Sequence, residues 1–193
     1  MTWLVAGLGN PGPRYAATRH NLGYRVVDEL AERAGERFKK ARFVPADVCE
    51  LKEADERVLL AKAHAFMNEN GPAFASLVRK HRIEVDHVIA VHDELDLAFG
   101  ALRVKFGGST AGHNGVRSLA AALRSPEFYR VRLGIGRPAG RKDPVDWVLE
   151  DFGKREAPDV ELLIDDGADA VRSLIRDGLS ATQDGFNRSG PRA

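Results

Sequence analysis

Two short apolar runs, Trp3-Leu4-Val5-Ala6 and Val88-Ile89-Ala90-Val91, constrain the fold more than anything else in this chain. Neither offers water a polar position, so residues 3–8 and 86–92 read as strands covered on both faces. Such strands need helices above and below the sheet, and the intervening sequence supplies them. Leu22, Val26, Val27, Leu30, Ala31 and Ala34 recur at helical spacing, with Asn21 placed to cap the helix and Gly35 to end it. Further helices are expected over 72–81, opened by Pro72, and over 116–123 after a glycine-rich loop at 107–115. A short helical turn is expected over 145–152, and a long amphipathic helix over 157–175.

The remaining strands are of another kind. Residues 43–51 and 57–63 are split only by the charged turn Glu53-Ala54-Asp55-Glu56. Residues 101–106 alternate, and so do 129–135, with Val131, Leu133 and Ile135 on one face and Arg130, Arg132 and Gly134 on the other. The stretches 43–63 and 95–106 leave no room for helical crossovers and read as antiparallel additions. The expected fold is α/β: one three-layer α/β/α domain over residues 1–193 with a twisted mixed sheet. After about residue 178 periodicity is lost, and the tail is expected to fray.

A chain of 193 residues, 44% hydrophobic and 30% charged, can bury a real core. Its single cysteine, Cys49, excludes an internal disulfide and lies in a strand, where a buried, inert thiol is expected. No apolar run approaches the ~20 residues of a membrane helix, and residues 1–5 lack the pattern of a signal peptide. A cytoplasmic protein is the expectation. The net charge of +1 conceals an asymmetry: residues 97–142 hold nine Lys/Arg against Glu127 alone, and residues 143–193 hold six basic and twelve acidic residues. A basic stretch on a near-neutral chain fits a phosphate-bearing partner touching one face, and equally a solvated basic surface.

Residues 7–21 follow the first strand as a Gly/Pro-rich loop. Gly7-x-Gly9-x-x-Gly12 matches the dinucleotide fingerprint, but that motif needs a helix to open at the glycines, and Pro11 and Pro13 stand there. There is no Gly-x-Ser-x-Gly elbow and no phosphate-cradling Gly-x4-Gly-Lys-Ser/Thr. His92-Asp93-Glu94-Leu95-Asp96 lacks the His or Cys pairs of a metal site, so no metal is expected. What remains is a base-and-water arrangement. His20, at a loop-to-helix junction, has the imidazole suited to general-base work near neutrality. Asp93 follows an apolar strand, where open α/β sheets place ligands, and a carboxylate there can orient an imidazole. Asn10, Asn68 and Asn114 offer donors and acceptors for a carbonyl, an amide or a ribose hydroxyl. Singly, each has an ordinary role: Asp93, Asn10 and Asn114 as turn residues, and Phe66-Met67 as core.

Taken together, five motifs in order closely resemble the bacterial-type peptidyl-tRNA hydrolase family, over residues 3 to about 152. They are Gly7-Leu8-Gly9-Asn10-Pro11-Gly12 with Tyr15, Thr18, Arg19, His20 and Asn21; Phe66-Met67-Asn68 with Gly71; His92-Asp93-Glu94-Leu95-Asp96; Gly107-Gly108 with Gly112-His113-Asn114-Gly115; and Arg130-x-Arg132-x-Gly134-Ile135-Gly136-Arg137-Pro138. The resemblance implies a monomeric, cofactor-free esterase that cuts the bond between a peptide and the 3′ ribose of tRNA. It implies His20 as the base, Asp93 as its partner, and Asn10 as the residue that separates N-blocked substrates from free aminoacyl-tRNA. Asn68 and Asn114 would position substrate and water, with His113 also among the substrate contacts. Tyr15, Phe66 and Met67 would wall the site, and Lys105 and Arg132 would clamp the tRNA 5′ phosphate. A non-catalytic RNA-binding module on the same fold is the alternative, though it would not need His20 and Asp93 together.

The main departure from the family pattern lies at 62–71. The Pro and Thr usual before Phe-Met-Asn are missing, and Asn70 stands for a Ser. Looser approach to the site is expected, with Asn70 still capping the next helix. Sequence alone leaves open whether His64 enters the site. The Gly/Pro content of 136–152 marks it as a candidate lid.

Overall fold

The computed structural model describes residues 1–187; the last six residues of the expected tail lie outside the described residues. Seven strands form one mixed sheet: β1 (Thr2–Gly7), β2 (Lys39–Lys40), β3 (Ala46–Glu53), β4 (Glu56–Ala63), β5 (Val88–Glu94), β6 (Leu102–Phe106) and β7 (Tyr129–Gly134). Their order is β2-β3-β4-β1-β5-β7-β6. β4, β1, β5 and β7 run parallel, while β2–β3, β3–β4 and β6–β7 pair antiparallel. The antiparallel additions expected from the short connections are therefore present, one at each side of a parallel centre.

The helices are α1 (Leu22–Arg33), α2 (Gly71–His81), α3 (Asn114–Leu123), α4 (Pro144–Val148) and α5 (Ala157–Phe186). The alternation along β1 sorts them into layers. Trp3 and Val5 pack with α1 and α5 on one face of the sheet. Leu4 and Ala6 pack with α2 and α3 on the other. Burying both faces of β1 and β5 leaves their polar neighbours only at the strand ends, and the carboxyl ends of β1, β4 and β5 become the one place where loops can gather side chains. α1 lies close enough to β1 and β5 that a Cβ on Gly23 would fall 2.2 Å from the Val91 carbonyl oxygen. Only glycine fits that contact, and it seats the start of α1, and hence the turn before it, on the strand ends.

Several local expectations are corrected. Residues 13–15 and 19–21 form single 3₁₀ turns, so no helix opens on the early glycines, in agreement with rejection of the dinucleotide reading. Asn21 sits at the N-cap position of α1 but makes no capping bond. Asn70 likewise occupies an N-cap without capping; its Nδ2 lies 3.6 Å from Met67 Sδ. The helix expected from 116 begins at Asn114, because His113 caps it: Nδ1 accepts from the backbone N–H groups of Gly115 (3.1 Å) and Val116 (3.3 Å).

The largest difference is at the C-terminus. Beyond Gly178, where the backbone breaks helical geometry, α5 continues to Phe186. Thr182 is fully buried, Gln183 Nε2 donates to the Val104 carbonyl (2.9 Å), and Asn187 Oδ1 accepts from the Val104 N–H (2.7 Å). The tail thus satisfies backbone groups on the outer side of β6, which would otherwise be an open sheet edge. Leu179 and Phe186 add packing against the core, but the bonds to β6 are made by two amide side chains, which apolar periodicity does not report.

Candidate active site

His20 is carried on the 3₁₀ turn Arg19–Asn21, and all three residues of that turn are buried. They point in three directions. Asn21 reaches back to the preceding loop: its Oδ1 accepts from the Asn10 N–H and its Nδ2 donates to the Asn10 carbonyl, both at 2.9 Å. This two-bond clasp, in place of the expected helix cap, holds Asn10 where Asn10 Oδ1 accepts from the Met67 N–H at 2.7 Å. The Asn10 carboxamide is thereby oriented, with its NH₂ left for the cavity. Arg19 turns the other way, toward residues 147–156.

His20 meets Asp93, which stands near the end of β5 and is 1% exposed. His20 Nδ1 lies 2.9 Å from both carboxylate oxygens of Asp93. A second imidazole shares that carboxylate: His113 Nε2 lies 3.0 Å from Asp93 Oδ1. The His113 tautomer follows from its cap role. Nδ1 accepts two backbone N–H groups, so the proton is on Nε2 and is donated to Asp93. His92, whose Nδ1 donates to the Asp93 carbonyl at 2.7 Å, packs its ring edge-on against His113 at 4.7 Å.

The electrostatics follow. Burial would raise the Asp93 pKa, but His20 and His113 outweigh it and hold the carboxyl well below the usual carboxylate range. Burial disfavours a charged His20; the charge and hydrogen bond of Asp93 outweigh it, and the His20 pKa is raised above its ordinary value. Full burial, with His113 beside it, pushes His92 far down and keeps it neutral. His20, Asp93 and His113 are also the grouping among the described residues that could hold a metal ion, their ligand atoms lying within 4.8 Å of one another. Their 2.9 and 3.0 Å contacts are N–H···O distances, however, and a metal would have to displace both protons.

These groups open onto a cavity of about 630 Å³. Asn10, Tyr15, Phe66, Met67, Asn68, His113 and Asn114 line it, so the structure gathers most of the residues singled out from the sequence. Tyr15 and Phe66 stand edge to face at 6.1 Å. Asn68 is exposed at the wall, and Asn114 Oδ1 accepts from Arg117 Nη2 at 2.7 Å. Pro144, Val145, Val148 and Leu149 form a further wall that the sequence reading did not assign, although the Gly/Pro-rich 136–152 segment was marked as a lid. His64 is not among the lining residues; it borders a second, smaller hollow of about 250 Å³ and pairs with Asp47 at 2.9 Å.

Lys105 and Arg132 lie outside the cavity lining, on β6 and β7. Arg132 donates through Nε and Nη2 to Glu94 Oε2, both at 3.1 Å, so part of its guanidinium is already engaged. Burial and the neighbouring Arg130 and Arg132 lower the Lys105 pKa. Arg130, on the face of β7 opposite Val131 and Leu133, is fully buried and donates to the Ser109 and Gly108 carbonyls at 2.6 and 2.8 Å, fastening the glycine-rich loop.

A buried carboxylate behind one nitrogen of an imidazole, the other nitrogen toward an open cleft, and, among the described residues, no Ser, Thr, Cys or Lys in the cavity lining together define a water-activating hydrolase on an α/β scaffold. Comparison with known proteins narrows this class. The family model described as Peptidyl-tRNA hydrolase matches residues 4–192. A peptidyl-tRNA hydrolase of Frankia casuarinae is 51% identical over 185 residues, covering 96% of this chain and 93% of that one. One of Mycobacteroides abscessus is 50% identical over 180 residues, covering 93% and 92%. The crystal structure of peptidyl-tRNA hydrolase from Acinetobacter baumannii superposes with a TM-score of 0.91 at 30% identity, covering 99% of this chain and 97% of that one. The chain belongs to the peptidyl-tRNA hydrolase family.

Proposed function

We propose that this chain hydrolyses the ester between a peptide, or an N-blocked amino acid, and the 3′ ribose of tRNA, with His20 as the base that activates water. The observation that carries the reading is the His20–Asp93 contact. With Nδ1 committed to the carboxylate, Nε2 is left for a water in the cavity. His20 takes a proton from that water as it attacks the ester carbonyl, and Asp93 stabilises the imidazolium that forms. On collapse of the tetrahedral intermediate the imidazolium returns the proton to the leaving 3′ oxygen, giving a free carboxylic acid and a deacylated tRNA. The Asn10 NH₂ group is placed to meet the acyl amide that an N-blocked substrate has and a free aminoacyl group lacks. Asn68 and Asn114 hold the ester and ribose end, while Tyr15, Phe66 and Met67 pack against the acyl chain, with His113 fixing Asp93 and the start of α3.

Lys105 and Arg132, the latter in register with Arg103 across the β6–β7 pair, take the phosphates of the acceptor stem. The protein works as a monomer in the cytoplasm and without a resident metal; among the described residues no helix is long and apolar enough to cross a membrane. Incubation with N-acetyl-aminoacyl-tRNA tests the reading. The wild type is expected to release the N-acetyl amino acid, and His20→Ala to bind the same tRNA with nearly all turnover lost. Full turnover by His20→Ala would remove the base assignment, and tRNA binding without turnover in the wild type would favour the non-catalytic RNA-binding module.

A further inference from the structure

Arg19 immediately precedes His20, is only 4% exposed, and does not line the cavity. Its guanidinium is instead held by α4 and the segment that follows it. The guanidinium carbon lies 3.5 Å over the Trp147 ring and 4.9 Å from the Phe152 ring. Nη1 donates to the carbonyls of Asp151 (2.8 Å) and Glu150 (3.3 Å), and Nη2 donates to both carboxylate oxygens of Glu156 (3.2 and 2.9 Å). The backbone agrees: the Arg19 N–H donates to the Glu150 carbonyl at 3.0 Å, and Thr18 bridges Asp151 in antiparallel register. A cation is expensive to bury, and this one is matched by a carboxylate, two carbonyls and an aromatic face.

The same segment presents Val145, Val148 and Leu149 to the cavity that His20 enters. Val145 and Leu149 are 62% and 41% exposed, large apolar side chains left open on that wall. α4 is five residues long, too short to hold itself in place by its own backbone bonds. Its other described ties include the Asp143 cap, the bond from Trp147 Nε1 to the Gly136 carbonyl, and the exposed Lys142–Glu150 pair.

We propose that Arg19 is a positioning residue that fastens the apolar 144–149 wall to the turn bearing His20, and so sets the distance between the base and the surface receiving an apolar acyl side chain next to the ester. This rests on the reading of the site given above. The chemistry requires arginine. A lysine would keep the charge but lose the planar fork that joins Asp151 to Glu156 while stacking on Trp147. The substrate class that benefits is an N-blocked acyl group with a branched or long apolar side chain; a glycyl group has nothing to place on the wall.

The experiment compares wild type, Arg19→Lys and Glu156→Gln on N-acetyl-leucyl-tRNA and N-acetyl-glycyl-tRNA, with amide hydrogen exchange measured on the free proteins. Arg19→Lys is expected to raise KM for the leucyl substrate by about tenfold more than for the glycyl one, with kcat changed little. Exchange should accelerate over 143–151 while the sheet stays protected. Equal changes on both substrates, or unchanged exchange over that segment, would overturn the proposal. Should Arg19→Lys fail to fold, Glu156→Gln, which keeps the Trp147 stack, carries the same comparison with a smaller expected effect. A wild type inactive on both substrates would refute the function instead, and exchange would still decide the fastening.

Discussion

Replacing Asn21 by alanine separates a helix cap from the clasp seen here. The side chain makes two bonds, both at 2.9 Å and both to the backbone of Asn10, with Asn21 1% and Asn10 6% exposed. Alanine leaves one N–H and one C=O of Asn10 buried without their partner, at about 1–3 kcal/mol each, so the substitution should cost ~2–6 kcal/mol. Water entering the vacated space sets the lower end. A lost cap would cost about 1 kcal/mol. Against a total stability of roughly 5–15 kcal/mol, the two cases are distinguishable by urea unfolding at matched slopes. Activity reports on the same clasp: Asn10 Oδ1 accepts the Met67 N–H at 2.7 Å, so a loosened Asn10 also frees the 66–68 wall. Turnover of N-acetyl-aminoacyl-tRNA should fall along with stability. Asn21→Asp should rescue neither, since it can accept from the Asn10 N–H but sets a second oxygen against the Asn10 carbonyl. A loss below ~0.5 kcal/mol in Asn21→Ala would refute this account, because changes of that size are typical of surface positions.

Other perturbations follow from the same geometry. Since Asp93 raises the His20 pKa and the base must be unprotonated, kcat/KM should rise with pH to a midpoint above the ordinary ~6.5. Asp93→Asn should move that midpoint down, because burial then acts alone, and should cut the rate by about 10²–10⁴-fold by loosening ring and tautomer; an unmoved midpoint in the pH–rate profile would detach the two residues. The stability linked to His20 has the opposite slope, being complete below its unfolded value of ~6.5 and lost as pH rises through the raised folded value, which unfolding curves at several pH values can check. Gly23→Ala places a Cβ 2.2 Å from the Val91 carbonyl and 2.5 Å from Leu8 backbone atoms, and should destabilise by ~1–3 kcal/mol or more through displacement of α1, read as a lower denaturant midpoint. Lys105→Ala should weaken tRNA binding at every acceptor sequence and reduce the log–log salt slope by about 1, measured by titration at several salt concentrations.

The membership of the cavity was legible wherever an unusual residue type marked it. A histidine at a loop-to-helix junction, an aspartate after a buried strand and three asparagines in Gly-rich or aromatic contexts are unusual enough together to be read from order alone, and the structure gathers all five at one cavity. Less legible were positions whose pattern was right but whose partner lay elsewhere. Arg130 alternates with Val131 and Leu133 as a charged residue on the other face, yet it is buried because the glycine-rich loop folds over it and supplies carbonyls. The tail after Gly178 is held by Gln183 and Asn187 on Val104 as well as by Leu179 and Phe186 packed on the core, and amide side chains leave no mark in apolar periodicity.

By itself the sequence determined the layers: strands covered on both faces between amphipathic helices leave few arrangements other than an α/β sandwich, since apolar periodicity records which side of each element must leave water. Only the tertiary structure decided what the polar residues of one turn do. Arg19, His20 and Asn21 are consecutive, yet their side chains bond across 132, 73 and 11 residues of chain. A polar side chain gains by finding a partner once buried, and which partner is within reach is set by strand order and helix seating, not by its neighbours in sequence.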